Sequence, residues 1–410
     1  MKHIINYFAL LAVLLLSACV DYNDATQAVS VSVKVSTPAE YKDATAGLEG
    51  HTVTLIRKDG TQLTAVTDAN GIAQFQNIVP DVYTISTSWD LTANEYTVLT
   101  GGNTANEGAV VAGNINSQLL TESTAASTLQ LSTQLSINHS MVIGKVYYAG
   151  TKDNNNKSYL AGQFIELYNQ SDKEISAAGL YIGLVESNST PAYSLDQLHS
   201  EFADSVVLLK QLFRIPTSSK LTIKPGGSIV ITNSAIDHTV NASNDPNLLT
   251  ADLEAKDASG RTTNNPATEA LDLVYTAYSA ISKMNITQNG LTSVIIFRTD
   301  EDPTKWPRTY NYGKTKGSMW LEAPKHFIID AVEILKYKTE GVDLATKRLY
   351  DELDAGYAVI NSISGYNGEM IYRKTSTRRG ADGHKILQDT NNSTNDFHTT
   401  TTLTIREYDD

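Results

Sequence analysis

The sequence predicts an all-β protein of two β-sandwich domains in tandem, the second with large loop insertions and a short helix. Three observations predict it. Short runs alternate apolar and polar residues, as in Val29-Ser30-Val31-Ser32-Val33-Lys34-Val35, and a period of two with β-branched residues marks a half-buried strand. Turn-forming groups such as Asp59-Gly60, Asn70-Gly71 and Pro80-Asp81 separate the runs. The chain is 410 residues long, which suits more than one domain.

The first domain is assigned to residues 28–137. After Val29–Val35, strands are expected at Val53–Arg57, Ile72–Phe75 and Val82–Ile85, and short strands at this spacing suit a sandwich. Residues 91–137 are rich in Thr, Ser, Asn and Gly, so Val110–Gly113 and Leu129–Leu135 are expected as closing strands around a long polar loop. A linker follows at Asn138-His139. The line Gly47–Leu55, Thr67-Asp68-Ala69-Asn70-Gly71-Ile72-Ala73-Gln74-Phe75 and Pro80–Ile85 resembles the carboxypeptidase-regulatory-like, or transthyretin-like, domain. The resemblance is clearest over residues 28–90. It implies a spacer or docking module without an active site.

The second domain is assigned to residues 140–410. It opens with Met141–Tyr148, and a polar loop leads into Gln163-Phe164-Ile165-Glu166-Leu167-Tyr168-Asn169. Period two there points Ile165 and Leu167 inward, and Phe164 and Glu166 outward. Later come Leu221–Ile231 with its Pro225-Gly226-Gly227 turn, then Ile371-Tyr372-Arg373-Lys374 and Asp389-Thr390-Asn391-Asn392-Ser393-Thr394-Asn395-Asp396-Phe397. Together these pieces resemble the lamin-tail domain, an immunoglobulin-like sandwich, in an enlarged form as in uncharacterised lipoprotein families of unknown function. The resemblance implies a structural role for Glu166, bonded to backbone or a neighbouring loop. Residues 188–220 and 233–285 do not fit a minimal sandwich and are expected to be insertions. Leu344, Leu349 and Leu353 predict a short helix or helical turn within Asp343–Ala358.

The chain opens with Lys2, an apolar run from Ile4 to Leu16, and Leu16-Ser17-Ala18-Cys19. The run is shorter than the roughly 20 residues that span a bilayer and suits a signal-peptide core. Its end resembles the bacterial lipobox. That implies removal of residues 1–18 and a lipid on Cys19, the only cysteine, with residues 19–27 as a tether. Val20-Asp21-Tyr22-Asn23-Asp24 is similar to the acidic export signals of surface lipoproteins. The expected address is the outer membrane, lipid-anchored and facing the cell surface.

With 32 Lys and Arg against 45 Asp and Glu, the chain carries a formal charge of −13. Such a charge repels phosphate backbones, so no nucleic-acid partner is expected. No nucleophile elbow, zinc-binding His-Glu-x-x-His or phosphate loop occurs, and no cofactor or metal is expected. Asp389–Asp396 invites a calcium site, but carboxylates only at its two ends are few for an ion that takes six to eight oxygens; turn-forming Asn and Ser are the simpler reading. The candidate contact residues are Trp306, Arg308, Tyr310, Tyr312 and Trp320, aromatic and cationic side chains in loop-like sequence. Such rings give contact area at little entropic cost; equally, they bury an insertion against its own sandwich.

The expected function is therefore non-enzymatic: an accessory or ligand-binding subunit anchored to the outer membrane through Cys19. By analogy, its partner is a TonB-dependent transporter or other barrel. The alternatives are a stand-alone adhesive or structural surface protein, and a hydrolase assembled from residues distant in sequence.

Overall fold

Alternating valines build the first strand, β1 (Val29–Val35), and Val31, Val33 and Val35 are wholly buried in it. The computed structural model describes residues 27–102, 109–137 and 139–409. The expected leader, Cys19, most of the tether and Asn138 lie outside them. Among the described residues the fold is all-β with a few short helices, and no helix is long and apolar enough to cross a membrane.

The described residues fall into two compact units, one ending at Trp89 but rejoined by Gly113–Thr133, the other formed by Asp90–Ala112 and the chain from Gln134 onward. In the first, β2 (Thr52–Arg57), β3 (Gln62–Val66), β4 (Ile72–Ile78) and β5 (Asp81–Leu91) follow β1. β1 pairs antiparallel with β4, and β2 pairs antiparallel with both β3 and β5. Between these layers pack Val31, Val33, Val53, Leu55, Phe75 and Ile85. Each such side chain contributes roughly 1.5–3 kcal/mol by leaving water. The turn before β4 is held by Asp68 Oδ1, which accepts the N–H groups of Asn70 (2.8 Å) and Ile72 (2.9 Å). Gly71 sits there at φ +73°, where a Cβ would stand 2.9 Å from the Val35 carbonyl oxygen. The strands β6 (Ala109–Leu120), β7 (Leu129–Leu131) and β8 (Gln134–Ile137) follow, and Leu120 and Leu131 complete the core.

The polar stretch expected as a long loop contains a helix, α1 (Ala93–Thr100). Thr92 Oγ1 accepts the Glu95 N–H and Glu95 Oε2 accepts the Thr92 N–H, satisfying two N-terminal donors. The Thr-x-x-Glu spacing signals this helix; its weakly apolar face does not.

The second unit is built on two seven-stranded sheets. Sheet A runs β9 (Met141–Tyr147), β10 (Phe164–Asn169), β13 (Ser228–Thr232), β14 (Leu253–Glu254), β15 (Glu269–Ala270), β21 (Met370–Arg373) and β22 (Phe397–Thr400), in the order β15-β14-β13-β10-β9-β21-β22. Sheet B has β11 (Tyr181–Val185), β12 (Val206–Arg214), β16 (Asp272–Thr276), β17 (Val294–Phe297), β18 (Arg308–Thr309), β19 (Trp320–Pro324) and β20 (Ile328–Val332). Its path is β18-β19-β12-β11-β17-β20, with β16 also on β12. Ile165, Leu167 and Val146 of sheet A share a core with Ile182, Leu184, Val294 and Ile296 of sheet B.

Two expectations change here. Val206–Arg214 is not insertion but the strand of sheet B to which β11, β16 and β19 all pair; its apolar run suits a strand covered on both faces. The helical turn expected within Asp343–Ala358 is a 3-10 turn at Leu344–Thr346, followed by irregular chain. Phe164 is not exposed: every residue of β10 is buried, and the Phe164 ring packs into the core against Tyr147 at 5.9 Å. Glu166 accepts Ser228 Oγ at 2.7 Å and the Arg406 N–H at 3.0 Å, with Lys145 Nζ 3.9 Å away. The backbone and loop bonds expected of Glu166 are present, in a buried setting.

One ion cluster ties the two sheets together. Arg373 on β21 reaches both oxygens of Asp330 on β20 (2.8 and 3.0 Å), Asp389 Oδ1 (2.9 Å) and the Ile143 carbonyl (3.0 Å). Asp396 stands 3.7 Å from the guanidinium and accepts the Thr390 N–H at 2.8 Å. The two ends of the Asp389–Asp396 run thus turn inward onto an arginine and backbone. Burial pushes the Asp330 and Asp396 carboxyls upward, against the pull of Arg373. Arg373→Met strands three buried carboxylates and is expected to cost about 3–5 kcal/mol, read as a fall in the urea midpoint; a change under 1 kcal/mol would refute the tie.

Asp245 is 3% exposed and accepts Tyr147 Oη–H at 2.5 Å. Burial pushes its carboxyl up to about 6, because the low-dielectric surroundings disfavour the ion. A raised value means the folded state holds the proton more tightly, so the stability it contributes is present below about 4 and is lost as pH rises through 6. Asp245→Asn, which mimics the protonated form, should gain on wild type by about 2–3 kcal/mol between pH 4 and 7.5. Parallel urea-unfolding curves across that range would contradict this.

Candidate functional site

At one end of sheet B, where β11 begins and β12 ends, a cleft of about 870 Å³ opens. Its walls are set by cross-strand register. Tyr181 lies opposite Arg214, and Arg214 opposite Asp272. The Arg214 guanidinium donates to Asp272 Oδ2 at 2.8 and 3.1 Å, and that bond holds the arginine above its ordinary value. Across the cleft, Arg298 follows β17 and donates to the Ala178 carbonyl at 2.7 Å and to that of Ser176. Burial pushes this guanidinium downward. The floor is completed by the loop from Thr299 to Thr304, with Asp300, Glu301 and Asp302 in succession. Asp302 caps its own turn, accepting Thr304 Oγ1–H at 2.7 Å, and is held below the usual carboxylate range by it.

A column of aromatic rings backs this wall. Tyr181 stacks on Phe297 (5.0 Å, 6°), Trp306 packs against Phe297 at 5.6 Å, and Phe327 stacks on Trp306 (6.0 Å, 8°). Offset ring pairs at this spacing contribute about 0.5–1.5 kcal/mol beyond area burial. Trp306 Nε1 donates to Glu301 Oε2 at 2.7 Å, so the indole also sets the position of a cleft carboxylate. Two arginines, four acidic residues and threonine hydroxyls line the cleft beside Tyr181 and Phe327. Such a lining can hold a polar ligand by hydrogen bonds and charge.

The five candidate residues do not form one surface patch. Trp306 is 8% exposed and Trp320 1%, each in a core cluster on the outer side of sheet B. Both indoles bury without an orphaned donor, since Trp320 Nε1 donates to Asn311 Oδ1 at 2.7 Å. The loop therefore turns its largest rings inward. Arg308 stays exposed, its guanidinium 5.0 Å above the Tyr275 ring. Tyr310 is half-buried, and Tyr312 is 45% exposed with its ring against Tyr193. Arg214, Asp272, Arg298 and Glu301 were not anticipated. The signal available was Arg298-Thr299-Asp300-Glu301-Asp302-Pro303, a charged turn directly after the apolar run Val294–Phe297. Among the described residues, no group of three or more His, Cys, Asp or Glu side chains could hold a metal ion.

The architecture is that of an all-β protein with a polar cleft on its larger unit, and the comparisons with known proteins agree with the fold. Residues 224–404 match the model of a family described as a protein of unknown function, DUF4876. In structure the chain is similar to a DUF4876 family protein from Bacteroides thetaiotaomicron, at 20% identity and a TM-score of 0.56, over 90% of this chain and 94% of that one. Two other solved structures are only weakly similar. They are fervidolysin of Fervidobacterium pennivorans, a keratinolytic enzyme related to subtilisin (14% identity, TM-score 0.19, 39% of this chain and 27% of that one), and BcpA, the major pilin subunit of Bacillus cereus (12%, 0.15, 76% and 96%). No curated protein matches the chain.

Trp306→Ala removes the middle of the ring column and the donor to Glu301. It is expected to lower stability by about 3–5 kcal/mol, whereas Tyr312→Ala should change it by less than about 1 kcal/mol. Thermal melts of the two variants check this, and equal losses would contradict the burial difference.

Proposed function

We propose that this chain is a lipid-anchored surface protein of the outer membrane that works by binding, with the cleft beside Arg214 and Arg298 as its ligand seat. The observation that carries the reading is the way the cleft is held from outside. Arg298 is fixed by two carbonyls, and Glu301 by an indole in the core. Side chains locked before a ligand arrives lower the entropic cost of binding it. The address rests on Leu16-Ser17-Ala18-Cys19 and the acidic residues after it.

In this reading the first unit is a transthyretin-like dock, and the second an enlarged lamin-tail-like sandwich that presents the cleft. The partner, by analogy, is a TonB-dependent transporter or another outer-membrane barrel, for which the protein is an accessory subunit. Several acyl chains on Cys19, at about 0.8 kcal/mol per buried methylene, would make the attachment effectively permanent.

Mild-detergent purification of the lipidated protein from its native membrane, followed by mass spectrometry, tests both parts. Wild type should sediment with outer membranes and bring a barrel with it at comparable amount, and Cys19→Ser should move to the soluble fraction. A Cys19→Ser protein that stays membrane-bound would overturn the anchor. Recovery of wild type alone would overturn the accessory role in favour of a stand-alone adhesive protein.

A further inference from the structure

At the opposite end of β11 from the cleft, a lysine is buried beneath a half-buried serine. Lys210 lies in the middle of β12 and is 0% exposed. Its Nζ is 2.6 Å from Ser187 Oγ and 2.9 Å from Thr292 Oγ1. Thr292 Oγ1–H donates to Thr287 Oγ1 at 3.0 Å, and Thr287 Oγ1–H donates to Ser187 Oγ at 3.3 Å. The four groups close a ring.

The ring accommodates a neutral Lys210. As an amine it donates one N–H to Thr292 Oγ1 and offers its lone pair to the Ser187 hydroxyl, 2.6 Å away. Every hydrogen bond in the ring then runs in the same direction. Burial pushes the amine down to about 7, with Glu186 pulling it up and Arg348 pushing it further down. Those two flanking charges are themselves paired, Arg348 Nε to Glu186 Oε1 at 2.9 Å.

Ser187 is also held in place. It lies two residues beyond β11, after Glu186, which accepts the N–H groups of Asn188 (2.9 Å) and Ala192 (2.8 Å) on the loop that follows. Ser189 and Thr190 in that loop are exposed, so Ser187 lies at the solvent end and Lys210 at the buried end. A serine hydroxyl is a weak nucleophile until an adjacent base takes its proton. A desolvated lysine within hydrogen-bond reach is one such base.

We propose that Ser187 and Lys210 form a nucleophile–base pair that cleaves activated carboxylic esters. Ser187 Oγ bonds to the acyl carbon, and its proton passes to Lys210 Nζ. The ester C–O bond breaks, and the departing alcohol takes that proton back. Water then attacks the acyl-serine with Lys210 again as base, releasing the acid and restoring the serine. The proposal is independent of the binding role, since it uses none of the cleft residues.

The experiment is covalent labelling of the purified full chain by an alkyl fluorophosphonate, in which the Ser187 Oγ–P bond forms, the P–F bond breaks, and Lys210 receives the hydroxyl proton. Expected is a single adduct mapped by mass spectrometry to Ser187, absent in Ser187→Ala, and formed at a rate that rises between about pH 6 and 8. Lys210→Met should label at least about 100-fold more slowly, with circular dichroism confirming its fold. No adduct on Ser187 in wild type, or an unchanged rate in folded Lys210→Met, would overturn the pair. Should Lys210→Met fail to fold, the wild-type profile decides: a rate flat from pH 6 to 8 overturns the base role.

Discussion

The central strands of both sheets in the larger unit are covered on both faces, and most of its chemistry follows from that constraint. A strand with one wet face can leave its polar side chains in water; here Glu166, Lys210, Glu333 and Arg373 are all buried on or beside strands. Each needs an internal partner, because an unpaired buried charge or polar group is costly. The partners come from far along the chain. Glu166 takes the Arg406 N–H, and Glu333 takes those of Arg348 and Leu349 at 2.8 and 2.6 Å. Long loops are thereby fastened to the strands they cover, without disulfides.

The same constraint explains what could be seen in the sequence. Strands with one wet face announce themselves by alternation, and the valines of β1 are placed in register with its buried and exposed pattern. In β10 and β12 both faces are packed, so alternation carries no orientation. The run Val206–Arg214 holds Lys210 and Gln211 among apolar neighbours, which looks like an interruption until Gln211 is seen bonded to the Lys283 carbonyl at 3.0 Å and the Asn285 N–H at 2.7 Å. The cleft was not legible for a different reason. Its arginines and acids are brought together by register between strands separated by dozens of residues, and no local spacing encodes that.

The Trp306–Trp320 segment shows a third kind of ambiguity. Composition marked it correctly as unusual, but aromatic residues are used alike for covering a sheet and for meeting a ligand. The deciding groups were small: Glu301 and Asn311 supply the acceptors that let both indoles go under. The closing motif around Arg373 behaves similarly. Its Asp and Asn residues have the look of a loop and the task of an internal counter-ion.

The chain has only three tryptophans, and their placement makes the protein its own optical reporter. Trp306 and Trp320 are sealed in the larger unit, where indole emission is blue-shifted. Trp89, half-buried in the smaller unit, stacks on His51 at 3.8 Å, where a protonated imidazole quenches fluorescence. Indoles therefore sit in both units of one molecule, and label-free spectroscopy of single-tryptophan variants can ask whether they melt together.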